Sequence, residues 1–421
     1  MTAHDAFDTV DQKKKSRTYP SLAEVRKSLV VRWYRCPIDR TRLHSYFMVR
    51  SDLEGAMQCL GHFLIWLCTG AVLWRAAEPA GGAPVSCGSL AIALFVHGTV
   101  GSTFLYGCHE LGHGTVFKSR WLNRFWLHVY SALSWWDPYD YGTSHTYHHR
   151  YSQYVEGDRE NVLPLEPSLN PALMLQMFTL NLTPGPGRVF GTGGLLWTVR
   201  LRVLAAMGGV ASAPGAESHE WLTSLHEDQP QEAIKSLWWN RCLVAFHVCV
   251  LAAAAVSGHW VLLPAVSFHA FFANWLSYFV GNTQHMGLRG EVPDFRLNTR
   301  TVLLDPISQF LFWHMNFHIE HHMYAGVPCY RLAELHQELI DDMPKPRTLV
   351  GAWLEMRDTW QRQQLDPGYA FDTPLPSAAS TAQPEKSTDT GNKVHADSSA
   401  NSIGDLAPLG LRARGAGPNK P

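Results

Sequence analysis

Charge is scarce in this chain. Asp, Glu, Lys and Arg make up 17% of its 421 residues, and the formal net charge is -1. A nucleic-acid partner calls for a basic face to meet phosphate, and this balance offers none. Eight cysteines are scattered without a C-x-x-C pair, so neither a disulfide framework nor a thiolate metal site is expected. The polar start lacks the apolar core of a cleavable signal peptide. No G-x-G-x-x-G dinucleotide fingerprint occurs, and Gly191-Thr192-Gly193-Gly194 is not one. An H-P-G-G haem signature is missing as well. Aromatic residues, in contrast, abound: 16 Trp, 19 Phe and 14 Tyr. The mean hydropathy is slightly negative, which excludes a protein made mainly of membrane spans. The balance implies an all-α, multi-pass membrane protein with a large water-facing part.

Four apolar runs approach the ~20 residues that cross a bilayer: 56–73, 90–106, 237–256 and 260–280. A short segment with Pro79, Gly81, Gly82 and Pro84 joins the first two, and Ser257-Gly258-His259 joins the last two. Two hairpins are therefore expected, each returning the chain to the side it left. His269 and Asn274 inside the fourth run should face protein or a polar cavity. Residues 1–50 form a basic arm that includes Lys13, Lys14, Lys15, Arg17, Arg26, Lys27, Arg32 and Arg35. The positive-inside bias places that arm in the cytoplasm, together with both termini and the long segments after each hairpin. The stretches 121–136, 173–182 and 195–206 are weakly apolar and carry Arg124, Arg200 and Arg202, so interfacial helices are expected there. Residues 51–370 form the membrane domain, and 371–421 read as a disordered tail rich in Ser, Thr, Pro and Gly.

Three histidine clusters lie in the cytoplasmic segments. They are His109-Glu110-Leu111-Gly112-His113, His145-Thr146-Tyr147-His148-His149 and His318-Ile319-Glu320-His321-His322. On a helix, residues three or four apart share a face. Each cluster can thus aim two or three imidazoles at one point. Together the three supply eight, more than one four-coordinate metal can use, and imidazole without thiolate suits iron, copper, zinc or nickel. A two-metal centre follows, held by a cytosolic helical cap. His109-Glu110-Leu111-Gly112-His113 also matches the zinc metalloprotease pattern with Glu110 as base. A zinc hydrolase, however, leaves the other two clusters without a role, so it stays a remote alternative. For His62, His97, His128, His219, His226, His247 and His259, an ordinary hydrogen-bonded side chain is the expectation. Carboxylates that orient metal-bound imidazoles should lie nearby. Glu110, Asp137, Asp140, Asp158 and Glu320 are the candidates, with Glu320 favoured and Asp158 read as surface charge.

These clusters resemble the three histidine boxes of the integral-membrane fatty acid desaturases and related hydroxylases. The match is His109/His113, His145/His148/His149 and His318/His321/His322. Asn316-Phe317-His318-Ile319-Glu320-His321-His322 looks like the family's N-x-H-x-E-H-H form, and the likeness covers roughly 56–339. It implies a diiron centre that activates O2, because attack on an unactivated C–H bond needs a redox-active metal, which zinc is not. It further implies that His285, just past the fourth run, joins the boxes as a ninth ligand. Asn282, three residues earlier, is implied to hold a metal-linked water, although the family's usual N-x-x-x-H spacing is not reproduced.

The resemblance also implies electrons from a separate protein, either cytochrome b5 with its reductase or a ferredoxin. The basic arm could receive such a donor or bind anionic headgroups. The substrate it implies is a fatty acyl or lipid-like chain, with introduction of a C=C bond. The first box also looks like that of membrane alkane hydroxylases, so a hydroxylase or monooxygenase acting on a lipid or specialised metabolite stays open. The membrane is that of the endoplasmic reticulum if the chain is eukaryotic, and the inner membrane if bacterial.

Overall fold

The computed structural model describes residues 18–160, 167–183, 194–212 and 216–376. Lys13, Lys14, Lys15 and Arg17 lie outside the described residues, as does the tail from 377 onward. Residues 371–376, assigned to the tail by composition, are held in place: Phe371 N–H donates to Gly287, and Asp372 pairs with Arg289.

Helices dominate. After α1 (Leu22–Ser28), an extended stretch and a helical segment, Arg40–Arg42 continued by Leu43–Phe47, lead to α2 (Asp52–Ala77), which Ser51 caps by accepting from the Glu54 N–H. α3 (Cys87–Ser102) returns beside α2. The pairs Thr69–His97 and His62–Val100 show that the two run antiparallel. α4 (Phe104–His113) follows one residue later. α5 (Arg120–Leu133) is amphipathic, with Leu127 and Tyr130 buried and Trp121 and Phe125 exposed. α6 (Pro138–Tyr151) starts with Pro138 in its first turn and Asp137 as its cap. Shorter helices, Pro171–Phe178 and Leu195–Ala206, occupy the other two stretches expected at the interface. α7 (Ala216–Asp228) and the long α8 (Pro230–Ser257) come next. α9 (Trp275–Gly281), α10 (His318–Met323), α11 (Leu332–Glu338) and α12 (Leu349–Gln363) follow, with short helical segments at Phe295–Asn298 and Pro306–Leu311 between α9 and α10, and β1 (Val302–Leu303) pairs parallel to β2 (Arg347–Thr348).

Among the described residues, three helical stretches are long and apolar enough to cross a membrane: Asp52–Gly82, Cys87–His113 and Pro230–Ser257. The expected fourth span, 260–280, is not one helix. It is broken into a wide turn at Leu263–Ser267, a tight turn at His269–Phe271 and then α9, with Ala273 left-handed at φ 47. Pro264 removes one ladder donor. The backbone groups freed by the break find partners in the 179–181 segment: Asn181 N–H donates to Phe271 and Ala273 N–H to Thr179. Two glycines of α3 make room. A Cβ on Gly98 would stand 2.6 Å from the Phe272 carbonyl oxygen, and one on Gly101 would stand 1.9 Å from His269 Nδ1. His269 and Asn274 are accordingly buried in protein.

The main core runs from this helical layer to the histidine segments through Phe104, Tyr130, Phe312 and Trp313. A second cluster ties the arm down. Leu22 and Val25 of α1 pack on Tyr147 and Tyr151 of α6 and on Trp221, Leu222 and Leu225 of α7. Beyond α1 the arm crosses the molecule as a strap, held by Tyr34 N–H to Pro293, Trp33 Nε1 to Arg150, and Arg35 to the Met323 carbonyl.

Candidate metal centre

Four parts of the chain converge beyond the end of α3. α4 carries His109 and His113, α6 carries His145, His148 and His149, the turn after α9 carries His285, and α10 carries His318, His321 and His322. Their nitrogens fall into two groups. His109, His113, His145, His149 and His321 form one, and His148, His285, His318 and His322 the other. Within each group the donor atoms lie within 4.8 Å of one another. Every i, i+4 pair stays together, and the odd ring of the second and third clusters crosses to the other group. Arg300 fixes the turn that carries His285 by donating to the carbonyls of Thr283 and Met286 while paired with Glu355.

Proton positions follow from the partners. In the smaller group, His285 Nδ1 faces the Asn298 carbonyl at 3.0 Å, an acceptor only, so the proton sits on Nδ1. Ser152 Oγ donates to the His148 carbonyl, so it must accept from His322 Nδ1 at 3.1 Å. Both rings therefore turn a bare Nε2 lone pair towards His318 Nε2, at 3.0 and 3.1 Å. In the larger group His145 Nδ1 donates to Glu160 at 3.1 Å, whereas His321 Nδ1 lies 3.4 Å from Glu110 without a hydrogen bond. Their Nε2 atoms stand 3.0 and 3.1 Å from His149 Nε2. A single proton on the central ring can satisfy only one of its two neighbours. Each group thus presses lone pairs together in a buried space, which a cation relieves. The thiolate-free imidazole set fits a pair of borderline transition-metal ions such as iron.

Carboxylates hold the outer nitrogens, though not all the expected ones. Glu110 reaches His109 Nδ1 at 2.9 Å and lies beside His321. Asp158, read from sequence as surface charge, is buried and accepts from His148 Nδ1 at 2.9 Å. The reversal comes from the turn after α6, where Gln153 adopts φ 67 and folds the chain back beneath the helix. Glu160, not foreseen, binds Ser144 Oγ and His145 Nδ1. Its one sequence signal was the spacing Asp158-x-Glu160, which puts both side chains on one side of an extended segment. Glu320, the favoured candidate, turns away: it accepts from Thr301 Oγ1 at 2.6 Å and meets His336. Asp137 caps α6 and holds Ser236 and Asn240, and Asp140 pairs with His226. Neither touches a clustered imidazole in these contacts. Asn316 is buried and donates to the Val302 carbonyl, whereas Asn282 is buried at the end of α9. Gln284, also unforeseen, places its amide 3.3 Å from His318 Nδ1.

Burial, and after it the neighbouring imidazoles, hold His145, His149, His318, His321 and His322 well below the ordinary histidine pKa. These rings are neutral, the form in which imidazole binds metal. His148 differs: burial pulls it down, but the Asp158 carboxylate outweighs that and raises it.

A cavity of about 590 Å³ runs along α6 and takes His109, His113, His145, His149 and His322 into its wall. One end lies between α5 and the start of α8, at Arg124, His128 and Lys235; the other reaches the strap at Trp33 and Arg35. Comparison with curated proteins finds no match to this chain. The sequence profile of the fatty acid desaturase family, in contrast, matches residues 83–352, which include all nine histidines. That span exceeds half of the 421 residues. With the paired histidine groups and the three apolar helical stretches, it shows that the chain belongs to the fatty acid desaturase family.

Proposed function

We propose that the two histidine groups hold an iron pair, five imidazoles on one ion and four on the other, and that the protein is an O2-dependent desaturase of a fatty acyl or lipid-like chain. The observation that carries this is the pair of central rings, His149 and His318, each facing two neighbouring nitrogens at hydrogen-bond distance with one proton to share. Bound iron supplies the redox chemistry that activates O2 and removes hydrogen from an unactivated C–H bond. Forming one C=C bond with reduction of O2 to two waters takes four electrons, two from the substrate and two from outside. The chain carries no haem or dinucleotide signature, so an external donor, cytochrome b5 or a ferredoxin, fills that role.

The residues of this chain do the positioning. Glu110, Glu160 and Asp158 accept Nδ1 protons, fix the tautomer and leave Nε2 free to bind. The cavity along α6 lays the chain across the larger histidine group. Its end between α5 and α8 adjoins a helix apolar enough to span the membrane, which suits entry of an amphiphile from the bilayer. α2 with α3, and α8 with the broken 260–281 segment, form two membrane pairs, so every clustered histidine faces the cytoplasm. The membrane is the endoplasmic reticulum in a eukaryote or the inner membrane in a bacterium.

Purified protein should contain about two iron atoms per chain, and with a donor and O2 it should give a product lighter by two hydrogens. Mass spectrometry of the product tests this. A gain of one oxygen makes the protein a hydroxylase. Stoichiometric zinc in protein that turns over without added iron overturns the metal assignment.

A further inference from the structure

The strap brings one aromatic side chain to the metal centre from outside. Trp33 is partly exposed, and its indole stacks on Phe295 with ring centres 4.0 Å apart and 10° between planes. The Phe295 ring lies 5.3 Å from that of His322. The Trp33 indole N–H donates to the Arg150 carbonyl at 3.0 Å, and Tyr154 packs on the indole edge, so it is held in one orientation. Two packed ring contacts therefore connect the protein surface to the smaller histidine group.

The same edge of the molecule carries three arginines and, beside Tyr154, the carboxylate of Glu291. Arg32, Arg35 and Arg150 are exposed, and none of them forms an ion pair among the described residues. Arg35 is steadied over the Tyr324 ring, with its centre 5.5 Å away. A second aromatic path, Trp136–Tyr141–His145, reaches the larger group with ring centres 4.7 and 4.8 Å apart. It starts at α8, where the Trp239 indole N–H bonds the Trp136 carbonyl, on a helix apolar enough to span the membrane.

We propose that Trp33 and the arginines around it form the docking surface for an acidic one-electron donor protein, and that electrons enter the centre through Trp33 and Phe295 to His322. This rests on the iron reading above. In each encounter the reduced haem or iron–sulfur group of the donor loses one electron and one ferric ion becomes ferrous. Trp33 and Phe295 end unchanged, and two encounters supply the two external electrons. Small, transient contacts steered by charge suit such a partner. Conduction favours the stack because electron tunnelling weakens steeply with distance and less through packed rings than through gaps.

The test is the rate at which iron is reduced in the full-length, iron-loaded protein, followed by stopped-flow absorbance without substrate or O2. The soluble haem domain of cytochrome b5 and a [2Fe–2S] ferredoxin serve as probes, and dithionite with methyl viologen serves as a small reductant that needs no docking. Trp33→Leu should slow reduction by the protein donor severalfold at unchanged iron content, and leave reduction by methyl viologen unchanged. Trp33→Phe, which keeps a stacked ring, should recover part of the rate. Arg32→Glu with Arg150→Glu should lower the donor association rate about tenfold at low salt and flatten its salt dependence. Wild-type rates in iron-replete Trp33→Leu overturn the route, as does equal slowing with both kinds of reductant, which makes Trp33 a packing residue only. Failure of both protein donors to reduce iron-loaded wild type overturns the docking surface. Protein that binds no iron and consumes no O2 instead overturns the functional reading on which the route stands.

Discussion

Two sets of histidines in this molecule are buried or largely so, and they differ in what their nitrogens face. In the helical layer, His62 donates from Nε2 to the Val100 carbonyl and accepts from the Trp313 indole at Nδ1. His97 donates to Ala265 and meets the Thr69 hydroxyl; His247 donates to Ala132 and meets Ser267. Each of these three rings has a carbonyl at one nitrogen and a hydroxyl or indole at the other, so both nitrogens are engaged. Among the nine clustered rings, the outer nitrogens of His109, His145, His148, His285, His318 and His322 meet protein partners, while the inner ones converge on one another. Burial alone does not mark a binding histidine. Convergence of nitrogens that cannot satisfy each other does.

Several changes would sharpen or break that contrast. The largest effect is expected at the clustered rings. His285→Ala removes one of four imidazoles from the smaller group, so iron content and turnover should both collapse, beyond the ~10–100-fold typical of changes one contact further out. Metal analysis beside product assay checks it, and an active variant with full iron would remove His285 from the site. Next come the carboxylates on the outer nitrogens. Glu160→Ala and Asp158→Ala should each lower turnover about 10–100-fold. Glu160→Gln should restore part of it, because the amide oxygen still accepts the His145 proton. If Gln restores nothing, charge rather than proton position is what Glu160 supplies.

The helical layer should respond otherwise. His62→Ala leaves the Trp313 N–H without its acceptor, costing about 1–3 kcal/mol of stability, with iron content unchanged. Thermal unfolding in detergent reads the first and metal analysis the second; loss of iron at unchanged stability would erase the distinction between the two sets. The smallest effect belongs to His226, which pairs with Asp140 at 2.8 Å. Burial lowers its pKa, but Asp140 outweighs that and raises it. A raised folded-state pKa contributes stability that is complete below the unfolded value of ~6.5 and is lost as pH rises through the folded value. His226→Gln should therefore cost at most about 1 kcal/mol at pH 6 and less at pH 9. A cost that grows with pH would contradict the pairing.

Much of the centre was legible because it is written in short spacings. His109, His113, His145, His148, His149, His318, His321 and His322 follow from helical periodicity, and the structure brings all of them together with His285. The carboxylates were less legible. Glu320 sits between ligand-type histidines in sequence yet meets Thr301 and His336, because adjacent residues on a helix point in different directions. Asp158 looked like surface charge because nothing local shows that the chain turns back beneath α6. The break in 260–280 was hidden for the same kind of reason. Its composition suits a span, while the space at Gly98 and Gly101 and the partners at 179–181 come from elsewhere in the chain.

By itself the sequence determined the donors, their type and their pairing. Residues four apart on a helix differ by about 40° in direction, so His109 with His113, His145 with His149 and His318 with His322 had to act as pairs. Of its four apolar runs, three form helical stretches long enough to span a membrane, while length and composition misled at 260–280. Only the tertiary structure decided which pairs share a group: the α4 and second-cluster pairs joined by His321, against the third-cluster pair joined by His148 and His285. A spacing fixes directions around one helix axis and carries no information about what stands opposite. That is set by how α4, α6 and α10 pack, and by the buried Arg300 that holds the turn of His285 between them.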